Sequence, residues 1–183
     1  MIGIFHIHPL TIPVFILIGL TPYGKGYFIL YFFIFLHELT HMAVSLFLKE
    51  KVVSVSLYPW GCSLNLKSFP ERHSMVLILL AGPLVNLLMY FLGIYPMENL
   101  SLALFNLFPV MPLDGGGIVN ALFGKRAFFL SLFFVLFAIA LCLKCHLPPY
   151  LPIALAVILI TGEKNRMDKN INFKITAFFK GEK

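Results

Sequence analysis

His37-Glu38-Leu39-Thr40-His41 lies inside an apolar run from Tyr27 to Leu48. The run is long enough for a membrane-spanning helix, and on a helix His37 and His41 fall one turn apart on one face. Two imidazoles at that spacing can hold one zinc ion, and the glutamate between them can serve as general base. Two histidines and a glutamate are costly to place in hydrocarbon, so polar groups in such a run mark function. The stretch therefore predicts a hydrolytic metal centre, of the kind used by proteases, built into a transmembrane helix.

Composition agrees with a membrane setting. The chain of 183 residues is 60% hydrophobic and 12% charged, too little charge to cover a soluble domain of this size. Apolar segments recur at 4–20, 27–48, 74–94, 99–119, 127–143 and 147–162. The second, third and fourth, at about 21 residues, match a hydrocarbon core of ~30 Å; the others are shorter, and the first and sixth contain proline. The expected fold is an all-α polytopic membrane protein with six spans in one domain, residues 1–162, followed by a basic tail, 163–183. No Lys or Arg precedes the first apolar run, which therefore does not read as a signal peptide.

Charge gives an orientation. Twelve of the 14 Lys and Arg residues fall in loops 49–73 and 120–126 and in the tail, leaving Lys25 and Lys144 for the opposite face. By the positive-inside rule both termini are expected in the cytoplasm of a multi-pass cell-membrane protein. The net charge of +6 is then accounted for without nucleic acid. The tail mixes Lys with Ile and Phe and suits either the anionic inner leaflet or solvent. His37–His41 lie in the half of their span nearer loop 49–73, which places the chemistry towards the cytoplasmic side.

Between the second and third spans, Val53, Val55 and Leu57 alternate with Ser54, Ser56 and Tyr58, a period of two. Tyr58-Pro59-Trp60-Gly61 supplies turn chemistry, and Ser63–Lys67 can return as a second strand. This predicts a short β-hairpin at the membrane surface. Its unpaired edge would be able to take up an extended peptide, or the hairpin is a plain connector.

The fourth segment contains Asn106-Leu107-Phe108-Pro109-Val110-Met111-Pro112-Leu113-Asp114-Gly115-Gly116-Gly117. Two prolines and three glycines break a regular helix there. Such backbone is tolerated at membrane depth where protein buries it or where it lines a wet cavity. Asp114 in this break is the candidate third ligand, and a helix cap is its other reading. Two neutral imidazoles, Asp114 and Zn²⁺ carry one net positive charge, which ionised Glu38 neutralises, lowering the cost of burial.

Together these blocks resemble the site-2 protease family of intramembrane metalloproteases, most of all its sporulation members, which process a pro-sigma factor during endospore formation. Supporting pieces are Ile7-His8-Pro9, Leu57-Tyr58-Pro59-Trp60-Gly61, Ala81-Gly82-Pro83-Leu84 and the Asn106–Gly116 block, so that the resemblance covers about residues 6 to 120. It implies one zinc per chain held by His37, His41 and Asp114, water activation by Glu38, and substrate positioning by Asn106, Pro109 and Pro112. It implies a membrane-associated protein substrate such as a pro-sigma factor, and leaves room for inhibitory membrane partners. Thr40 stands where many relatives have a smaller residue, Cys62 where a second glycine is usual, and the regulatory domain of sporulation members is not in the sequence.

Other readings compete. A transporter or metal-handling protein would use the same His and Asp residues but has no need of Glu38, and such proteins usually carry an internal repeat, which is not evident. Cys142-Leu143-Lys144-Cys145-His146 has haem-attachment spacing, yet sits in a tight connector where coincidence or a local disulfide explains it. Cys62 reads as a free thiol and His8 as a packing or hydrogen-bonding residue. Asn86 and Gly82 suit either substrate access or close helix packing.

Overall fold

The computed structural model describes residues 4–59, 61–68, 70–145 and 174–176, with Tyr150, Ile153, Ala156 and Val157. In chain order the elements are β1 (Ile4–Ile7), α1 (Thr11–Gly19), α2 (Gly24–Phe47), β2 (Val52–Tyr58), β3 (Gly61–Leu66), α3 (Arg72–Phe91), α4 (Pro96–Leu107), α5 (Asp114–Phe123), α6 (Ala127–Lys144) and β4 (Lys174–Thr176). The fold is mostly helical. Among the described residues α2, α3 and α6 are long and apolar enough to cross a membrane. Most of the sixth predicted span and most of the tail lie outside the described residues.

Helix α2 is ~36 Å long at 1.5 Å per residue. Phe33, His37, His41 and Ser45 are buried at intervals of four, with Glu38 beside them. This one stripe packs against α3, while the lipid-compatible Phe28, Phe32, Leu46 and Phe47 are exposed. Hydroxyls in the helix are satisfied locally: Thr40 Oγ1 donates to Leu36 O and Ser45 Oγ to His41 O, each at 2.8 Å. Lys49, with φ 62°, ends the helical path.

The first predicted span is not a single helix. Residues 4–7 form a strand, and α1 has nine residues, ~14 Å, too short to cross a membrane alone. The strand escaped notice because four apolar residues merge with the apolar helix that follows. Thr11 joins the two, its Oγ1 donating to Leu57 O at 3.1 Å.

The β2–β3 hairpin forms as read, with Leu57 opposite Cys62 and Ser56 opposite Ser63. Its position differs from the surface hairpin expected. The turn reaches back along α2, where Tyr31 Oη donates to Tyr58 O at 2.8 Å and Tyr27 Oη donates to Pro59 O. Tyr31 is ~25 Å from Leu48 along the helix, so the hairpin runs beside α2 rather than across its end. The free edge is absent too. The sheet has four strands in the order β1-β2-β3-β4, with β1 parallel to β2 and β4 antiparallel to β3. Each hairpin strand therefore has a partner on both sides, and the outer edges of the sheet pass to β1 and β4.

The remaining apolar core binds these layers. Val55, Leu64 and Leu66 of the sheet pack with Met75, Ile78 and Leu79 of α3. The fourth predicted span is broken as expected: α4 ends at Leu107, and Asp114 begins α5. The connecting segment is pinned by Leu113 N to Val110 O at 2.9 Å and packs through Val110 and Leu113 onto Val135 of α6.

Candidate metal centre

Two elements converge on one buried point. Helix α2 brings His37, Glu38 and His41, which are 3%, 3% and 0% exposed, while the first residue of α5 brings Asp114 at 5%. Their placement follows from the sequence: HExxH puts its three polar side chains on the stripe facing α3, and the proline break lets α5 restart with Asp114 at its tip. A helix N-terminus also favours a carboxylate.

One oxygen of Asp114, Oδ2, is 3.0 Å from His37 Nε2 and 3.3 Å from His41 Nε2. The other nitrogen of each ring is already engaged. His41 Nδ1 donates to Ile78 O at 2.6 Å, and His37 Nδ1 stands 2.6 Å from Asn86 Oδ1. With Nδ1 as donor, neutral imidazole turns the lone pair of Nε2 inward. Two such nitrogens and a carboxylate oxygen then face one another, and a cation between them satisfies all three. His41 Nε2 and Glu38 Oε2 are buried with no hydrogen-bond partner, and single ligand atoms of His37, Glu38 and His41 all lie within 4.8 Å of one another. Nitrogen and carboxylate donors in this number suit zinc, so the residues present fit the metal.

Helix α3 is shaped to this cluster. A Cβ on Gly82 would lie 2.5 Å from Nε2 of both His37 and His41. Pro83 follows, fully buried, and has no N–H for the helix. In α5 the glycines admit the broken segment: a Cβ on Gly115 would lie 2.1 Å from Leu107 O, and one on Gly116 2.2 Å from the Val110 carbonyl carbon. The polar block of the fourth segment is thereby packed directly over the first turn of α5.

The four residues expected at the metal are brought together. Asn106 is buried in the last turn of α4, where its Nδ2 donates to Leu102 O at 3.0 Å. Pro109 and Pro112 are half-buried in the break. Among the described residues no hydrogen bond ties Asn106 to the cluster. Asn86 and Gly82, for which the sequence left substrate access and helix packing open, border the site, as do Asn99 and the Ile78 carbonyl, which the sequence reading did not single out. For the two asparagines the available signal was an amide in each of two apolar segments; for Ile78 there was none, since any backbone carbonyl looks alike. Cys142 and Cys145 are free thiols rather than a disulfide, and His146 lies outside the described residues. Nδ1 of His8 accepts from Leu10 N at 3.3 Å, and its ring lies against Tyr58, which agrees with the packing role.

No family model matches the chain. It is 28% identical over 138 residues to stage IV sporulation protein FB of Bacillus subtilis, an alignment covering 66% of this chain and 48% of that protein. A zinc metalloprotease of Methanocaldococcus jannaschii is 29% identical over 138 residues, covering 61% of this chain and 40% of the relative. The chain thus spans less than half the length of these curated relatives. In structure it is similar to the site-2 protease of M. jannaschii, with a TM-score of 0.58 at 19% identity over 98% of this chain and 94% of that one, a likeness of fold. These likenesses support the chain as a member of the site-2 protease family.

Proposed function

We propose that the chain is an intramembrane zinc endopeptidase that cleaves a membrane-associated or transmembrane protein substrate near the cytoplasmic face. The observation that carries this reading is the convergence of His37 Nε2 and His41 Nε2 on one Asp114 oxygen, beside a buried Glu38 whose Oε2 has no partner. His37, His41 and Asp114 are the zinc ligands, one ion per chain. Bound zinc supplies Lewis acidity that polarises the scissile carbonyl and acidifies water. Glu38 takes the proton of the attacking water and delivers it to the leaving amine. A peptide bond in a transmembrane helix is shielded by its own hydrogen bonding, so the substrate must unwind locally. Asn106, Pro109 and Pro112 border the broken segment that would hold it extended. The sporulation relative favours a pro-sigma factor as the substrate class. The multi-pass arrangement has both termini in the cytoplasm.

Glu38→Gln tests the reading. Glutamine keeps the size of glutamate and loses its basicity. With a membrane-tethered pro-sigma substrate co-expressed, the variant is expected to lose cleavage while keeping its fold and most of its zinc. A His37→Ala, His41→Ala double variant is expected to lose both. Cleavage by Glu38→Gln at a near wild-type rate removes the general base and returns the cluster to the transport alternative, which does not use Glu38.

A further inference from the structure

Behind His37 lies a file of amides that no catalytic step uses. Asn86 of α3 and Asn99 of α4 are both 0% exposed. Asn99 Nδ2 donates to two backbone carbonyls, Ile94 O at 2.9 Å and Tyr95 O at 3.2 Å. Asn86 Nδ2 donates to Asn99 Oδ1 at 2.9 Å, and Asn86 Oδ1 faces His37 Nδ1 at 2.6 Å.

The direction of this file is fixed by its far end. A backbone carbonyl can only accept, so the end of Asn99 that faces two of them must be its NH₂. Asn99 then offers oxygen to Asn86. Asn86 must answer with its own NH₂, which turns its oxygen to the imidazole. An oxygen there requires hydrogen on His37 Nδ1. Neutral imidazole has one N–H, so Nε2 keeps its lone pair, pointed at Asp114 and His41. Reversing any one amide would set oxygen against oxygen between fully buried groups, at the cost of an unmet buried polar group. His41 reaches the same tautomer by touching the Ile78 carbonyl directly.

We infer that Asn86 and Asn99 are positioning residues for the metal ligand His37: the carbonyls of Ile94 and Tyr95, relayed through two amides, set its tautomer and ring orientation. The turn that presents those carbonyls is itself unusual, with Gly93 at φ 73° and Tyr95 at φ 43°, in the left-handed region. The inference rests on zinc binding by the His37, His41 and Asp114 set, but not on proteolysis.

The test is zinc affinity of the full chain in detergent, by competition with a chromogenic chelator, with thermal stability and the visible spectrum of the cobalt-substituted form on the same preparations. Partners of ligating imidazoles typically change metal affinity by about 10- to 100-fold. Asn86→Leu is expected to weaken zinc within that range and to alter the cobalt spectrum. Asn86→Asp keeps an oxygen opposite His37 Nδ1 but sets its second oxygen against Asn99 Oδ1, so it is expected to keep zinc affinity within a few-fold of wild type while losing thermal stability. Asn99→Leu, which does not touch the ring, is expected to weaken zinc less than Asn86→Leu. A purely structural role predicts lower stability in all three with unchanged zinc affinity in the folded fraction, and that result overturns the inference. If Asn86→Leu does not fold, Asn86→Ser, too short to reach the ring, takes its place with the same expected loss. Wild-type protein that fails to bind zinc tightly overturns the zinc reading itself. Tight zinc in wild type and in Asn86→Leu alike overturns only the relay.

Discussion

At Gly82 the missing side chain does the work of a wall. Both imidazole Nε2 atoms would stand 2.5 Å from a Cβ at that position, well inside van der Waals contact. Gly82→Ala must therefore move rings that are held from behind by Ile78 O and Asn86 Oδ1. Overpacking of this kind costs about 1–3 kcal/mol where the surroundings can yield. The variant is expected to bind substoichiometric zinc and to unfold at lower temperature, as metal analysis and a thermal melt on one preparation will show. Full zinc in a stable Gly82→Ala protein would mean that the rings have room to retreat. This residue also shows what sequence can and cannot give. His37, Glu38 and His41 are legible because their geometry is local, set by helical period alone. Gly82 touches them from 41 or more positions away, and a glycine in an apolar span looks the same whether it faces a helix or a metal ligand. Asp114 could be picked out for a different reason: it is an acid in a proline and glycine break of an apolar segment, where a helix cap was the other reading.

At the scale of elements, the interruption between α4 and α5 is the working part. Its prolines end one helix and its glycines allow the loop to lie on the next, so that α5 opens with Asp114 against α2. The break was readable because Pro and Gly act locally. The role of Asn106 is less direct, since its amide already donates to Leu102 O, one turn back in its own helix. For substrate to use that amide, the bond must be shared or exchanged. Asn106→Ala is expected to lower cleavage strongly while zinc content stays at the wild-type value, measured together with thermal stability. A joint fall of stability and zinc would assign Asn106 to packing of α4, and full activity would remove it from the site. The sheet was half legible. Alternation gave β2 and β3, but their placement along α2 depends on the Tyr27 and Tyr31 hydroxyls finding carbonyls about 30 residues ahead. Strands β1 and β4 have four and three residues, too few for alternation to register, and they are placed by pairing with the hairpin rather than by a pattern of their own. An extended substrate therefore meets β3 with β4 already paired to it.

For the whole molecule, the orientation proposed from charge can be tested with the chain's own cysteines. Lys25 and Lys144 mark one face; the other basic residues mark the opposite one. Helix α2 runs from the first face, near Lys25, to loop 49–73, and α6 runs from the basic turn at Lys125 and Arg126 to Lys144. The orientation proposed from positive-inside bias has the C-terminal end of α6 outside the cell. Cys145 is exposed at that end and Cys142 half-buried one turn before it, whereas Cys62 is buried in β3. Intact cells treated with a membrane-impermeant maleimide are therefore expected to label the protein without lysis. Replacing Cys142 and Cys145 together by serine should abolish the label, and replacing Cys62 should leave it unchanged. Labelling that appears only after lysis would invert the molecule. The HExxH turn, nearer the loop 49–73 end of α2, would then open towards the outer face, and a cytoplasmic substrate such as a pro-sigma factor would be out of reach. The experiment thus tests the substrate class as well as the topology, because a peptide bond can be cut only from the side on which the centre is accessible.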